Sequence, residues 1–62
     1  MAMTEQQAKA YLGRYPEEAI DEALLHHWRT RRYYGQPFSE VLSDFEAMTW
    51  NERLQFVEDN LQ

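Results

Sequence analysis

Sixty-two residues carry six basic and eleven acidic side chains, a net charge of −5, with no cysteine and 15% aromatics. This length supports a single domain, residues 1–62, with one thin core, because such a chain buries only about 60% of its unfolded surface. The missing cysteine excludes disulfides, thiolate metal sites and a cysteine nucleophile, leaving self-association as the expected supplement to a small core.

The opening MAMTEQQAKA has no basic region followed by an apolar one, and apolar runs reach only three residues. The expectation is a cytoplasmic protein without a membrane span. Thr4 followed by Gln7 fits a capping box, and Ala8, Tyr11, Leu12 and Tyr15 share one helical face, which predicts a first helix over 4–14 with Gly13 as its end or weak point. Pro16 suits a first helical position, with Glu17, Glu18, Asp21 and Glu22 crowding the turns after it. Gly35 and Pro37 punctuate the far end, so the second and longest helix is predicted over 16–34.

Ser39 is the expected cap of a third helix with Val41, Leu42, Phe45 and Met48 as its apolar positions and Phe38 as a staple before it. Thr49 to Glu52 repeats the capping-box pattern. Trp50, Leu54, Val57 and Leu61 then follow at steps of a fourth helix. No stretch alternates as a strand does. The fold class expected is all-α: a small bundle of about four helices, two of them short, prone to self-association.

Within the second helix, a turn of about 100° per residue places Ile20, Ala23, Leu24, His27, Arg31 and Tyr34 toward the core, with Trp28 at the margin. Leu25 and Arg29 point the opposite way, Arg32 lies beside Leu25, and His26 and Tyr33 share an edge. Arg29, Arg31 and Arg32 form a cationic island in HHWRTRRYY, and the rest of the chain holds three basic residues against eleven acidic ones, a net of −8. Bases at a helix end complement its dipole by about 0.3–1 kcal/mol each, so part of this pattern needs no ligand.

Four uses of the island can be ranked. Nucleic acid would meet three arginines interleaved with aromatics, yet the acidic surroundings repel a polyanion; weak binding through Arg29, Arg31 and Arg32 is the alternative expectation. Metal binding fails on geometry, since His26 and His27 diverge by about 100° and Glu22 with His26 supplies only two ligands. Catalysis has no motif: no phosphate-cradling glycine loop, HExxH or GxSxG is present, so neither an enzyme nor a cofactor is expected.

Protein recognition fits best, because arginine, tryptophan and tyrosine are enriched at binding hot spots. The expected contact comprises Leu25 and Trp28 as apolar anchors, Arg29 and Arg32 pairing with carboxylates, and His26 and Tyr33 along the edge; Phe56 beside Arg53 and Asn60 is a second candidate edge. The partner is a protein of unknown identity, with a homodimer among the options. The cluster Glu17, Glu18, Asp21 and Glu22 also admits an acidic DNA-mimic inhibitor, although a solvated helix face accounts for such a run more simply. The carboxy-terminal FSEVLSDFEAMTWNERLQFVEDNL has the general look of small bacterial, phage or plasmid accessory proteins, without a motif that transfers residues or activity.

Overall fold

Thr4 and Thr49 each stand in extended backbone and take the amide of the residue three positions on: Gln7 N–H to Thr4 Oγ1 at 3.1 Å and Glu52 N–H to Thr49 Oγ1 at 3.2 Å. The returning bonds, Thr4 N–H to Gln7 Oε1 at 3.0 Å and Thr49 N–H to Glu52 Oε1 at 2.9 Å, complete two capping boxes. In the computed structural model, which describes residues 3–31 and 35–61 with the Arg31 side chain left aside, these boxes start α1 (Glu5–Leu12) and α4 (Trp50–Asn60). Between them lie α2 (Glu17–Arg31) and α3 (Phe38–Ala47), so the all-α bundle of four helices stands.

The punctuation differs in detail from the expected boundaries. Gly13 ends α1 with right-handed φ −64°, its N–H bonded to Lys9 O at 3.0 Å, so this glycine supplies no left-handed turn. Gly35 does, at φ +82°. The expected cap at Ser39 is corrected: the cap position moves two residues back to an extended Pro37 without a side-chain cap, and α3 begins at Phe38. Early entry places the Phe38 ring at the Trp28 indole, centroids 5.6 Å apart and edge-on, so Phe38 joins two elements. Residues 32–34, with which the second helix was expected to end, lie outside the described residues.

The core forms where α4 packs against both α1 and α2, and α2 packs also against α3. Ala8, Leu12, Ala23, Leu54 and Val57 make the buried cluster, with Met3, Tyr15, Ile20, Phe45, Trp50, Phe56 and Leu61 packed on it half-buried. Ala8, Ala23 and Val57 are 0% exposed, and the two alanines keep the space between helices narrow. Leu24 and Val41 are buried outside that cluster.

Two residues expected inward are corrected: Tyr11 is 39% exposed and Leu42 37%. Ala8 and Leu12 occupy the stripe of α1 that meets α4, and Tyr11 falls about 100° from Leu12, too far round to share it. The molecule measures 35 × 20 × 19 Å, elongated around this thin core.

Candidate functional site

Of the six residues expected to meet a partner, four are described. Leu25 is half-buried in the middle of α2 and is not among the side chains packed on the core cluster. His26 beside it is half-buried, and its backbone carbonyl accepts the Thr30 hydroxyl at 2.8 Å. Arg29 is exposed. Arg32 and Tyr33, like Tyr34 and the side chain of Arg31, lie outside the described residues.

Trp28 has a structural task that its composition-based reading did not anticipate. Its indole N–H donates to Gln36 O at 2.9 Å while the ring meets Phe38, which fastens the α2–α3 connection. Trp28 is half-buried and stands three residues, about one helical turn, after Leu25. Trp28 thus holds the loop that follows α2 and stiffens the helix that displays Leu25 and Arg29.

The opposite side of α2 is committed to packing. The His27 ring lies 4.7 Å from Phe56, and Phe56 lies 5.4 Å edge-on from Phe45, so α2, α3 and α4 meet in one aromatic contact. Phe56 therefore belongs to the packed interior face and not to a second contact edge. Arg53 is likewise drawn inward: its Nε donates to Met48 O at 3.1 Å, its guanidinium also donates to Glu46 O, and its plane lies 4.4 Å from the Trp50 ring centroid. These carbonyls end α3, where no further turn exists to satisfy them.

Glu5 fixes α1 to the start of α4. Its carboxylate accepts the Trp50 N–H at 2.7 Å, the Asn51 N–H at 3.4 Å and the Asn51 side-chain amide, which also donates to Met3 O at 2.8 Å. The Asn51 side chain foremost holds the Glu5 carboxyl below its ordinary range; desolvation, next in size, opposes it, and the backbone amides of Trp50 and Asn51 add to the lowering. A carboxylate at a helix N-terminus also meets the positive end of the dipole. Asn60, 4% exposed, donates to Phe56 O at 2.8 Å, and its Oδ1 has no partner among the described residues.

A shallow groove of about 380 Å³ runs along α1, lined by Met3, Gln7, Ala10, Tyr11 and Arg14, with the Arg14 guanidinium 5.3 Å from the Tyr11 ring centroid. Its lining holds no carboxylate, imidazole or hydroxyl nucleophile other than the tyrosine phenol. Among the described residues no group of three or more potential ligands could hold a metal ion, and no helix is long and apolar enough to cross a membrane. Comparison with protein families, curated proteins and solved structures yields no match to this chain.

Sequence reasoning missed Glu5 and Asn51, and it set Arg53 and Asn60 on a contact edge beside Phe56 where the structure uses them for packing and capping. Asn60 had a signal, since it follows Val57 by three residues on the same face. Glu5, Asn51 and Arg53 act across elements, where spacing within one helix says nothing.

Proposed function

We propose that this chain is a small non-enzymatic interaction protein that modulates a partner protein by occupying its surface with the outer face of α2, in the cytoplasm. The observation that carries this reading is Leu25: a half-buried leucine, outside the core cluster, flanked by exposed Arg29 and half-exposed Trp28 on a helix that packs against α4 through His27 and against α3 through Trp28. A rigid helix presenting an apolar anchor beside a guanidinium loses little entropy on docking, which is how a small surface gains affinity. Carboxylates on the partner are the natural mates of Arg29.

The test is affinity capture from host lysate with and without nuclease, using wild-type protein and the Leu25→Asp, Arg29→Glu double variant. A defined protein held by the wild type in both conditions and lost by a still-helical double variant supports the reading. Capture that vanishes with nuclease contradicts it and returns the arginines to nucleic acid, a mechanism to be checked by replacing Arg29, Arg31 and Arg32 with glutamine.

A further inference from the structure

We infer that the outer face of α2 pairs with the same face of a second copy of this chain, antiparallel and centred on Leu25; this rests on reading that face as an interaction surface. The argument begins with how charge is distributed along the helix. Taking about 100° per residue with Leu25 at the centre, Glu18, Glu22 and Arg29 fall on one flank within about 60° of it, and Asp21 and Trp28 fall on the other. Glu18, Asp21, Glu22 and Arg29 are all exposed. The acids lie on the N-terminal side of Leu25 and the base on the C-terminal side.

A two-fold axis through facing Leu25 side chains reverses one helix against the other and keeps each flank on its own side. Arg29 lies four residues after Leu25 and Glu22 three before it, so in the pair Arg29 comes level with the partner copy's Glu22, within about 2 Å along the helix axis, and near its Glu18. The arrangement occurs twice by symmetry. A parallel two-fold pair would cross the flanks, setting Glu22 against the partner copy's Asp21 and leaving Arg29 beside Trp28 with no carboxylate.

Along α2 itself Arg29 has no carboxylate at helical pairing distance. The positions three and four residues either side of Arg29 hold Leu25, His26, Arg32 and Tyr33, with no carboxylate, and those around Glu22 hold Glu18, Ala19, Leu25 and His26. A contact along one helix of 15 residues is small, so the dissociation constant should fall in the range of tens of micromolar.

The experiment is sedimentation equilibrium on four samples: wild type, Glu22→Arg, Arg29→Glu and an equimolar mixture of the two variants, each checked for helical circular dichroism. Wild type should dimerise, and less so in high salt; either variant alone faces its own like charge and should bind itself about tenfold or more weakly. In the mixture every changed side chain meets its opposite, so a one-to-one heterodimer should recover near wild-type affinity. A wild type monomeric at millimolar concentration overturns the pairing, as do single variants that dimerise normally or a mixture that stays monomeric. The two readings fail separately: a monomeric wild type whose lysate partner still depends on Leu25 leaves the interaction surface standing, whereas a normal dimer whose captures ignore Leu25 removes the external partner alone.

Discussion

At Glu5 a single carboxylate does what a capping side chain normally does within its own helix, but for the start of α4. Because its folded-state pKa is lowered, its contribution to stability is complete at neutral pH and is lost as the pH falls through that folded value. Glu5→Gln should lower the melting temperature at pH 7, and the gap to wild type should narrow as the pH falls below the ordinary carboxylate range and wild-type Glu5 takes up its proton. Thermal melts across that range check it; a gap that persists at low pH would assign the loss to packing. Thr4 and Thr49 were legible because a capping box is written within four residues. Glu5 and Asn51 stand 46 positions apart, and only the packing of α1 on α4 brings them together. Arg53 was counted as a stray base near an exposed edge, since its mates are backbone carbonyls of another helix, which no side-chain pattern announces.

At the level of elements the two glycines make opposite predictions. An added Cβ at Gly13 would meet Ala10 O at 3.4 Å and Lys9 O at 3.5 Å, ordinary van der Waals distances, and φ is already right-handed. Gly13→Ala should therefore stabilise by about 0.4–1 kcal/mol, by restricting the unfolded chain. Gly35→Ala meets open space but keeps φ +82°, which should cost about 1 kcal/mol through backbone strain alone. Chemical denaturation of both variants measures the difference, and equal signs would contradict the assigned conformations. The apolar period gave the number and order of helices, while boundaries moved where proline and glycine chemistry competes with propensity. Ser39 looked like a cap, yet Phe38 gains the Trp28 ring by entering the helix first, and that contact lies outside any local rule.

For the whole molecule the limiting quantity is the core. A domain of this size rarely gains more than about 3–5 kcal/mol from its core, and a leucine-to-alanine change in a packed interior costs about 2–5 kcal/mol. Leu54→Ala, in the stripe that joins α4 to α1 and α2, should leave the chain largely unfolded at 37 °C, seen as lost helical circular dichroism; a stable helical variant would show that the core lies elsewhere. The four-residue stripe of α4 was readable because one period governs all of it. Tyr11 and Leu42 were placed inward wrongly because a thin bundle covers less than a full helix face, and periodicity does not say how wide the covered strip is.

The central claim of the proposal is that the Leu25 face of α2 is available to a partner. A melt of the Leu25→Asp, Arg29→Glu variant by circular dichroism, paired with its sedimentation behaviour, tests it most directly. Changes on an outward face should alter stability by less than about 1 kcal/mol, so the account predicts a wild-type-like melt together with lost association. A variant that unfolds would show that the Leu25 face is part of the core and holds no partner.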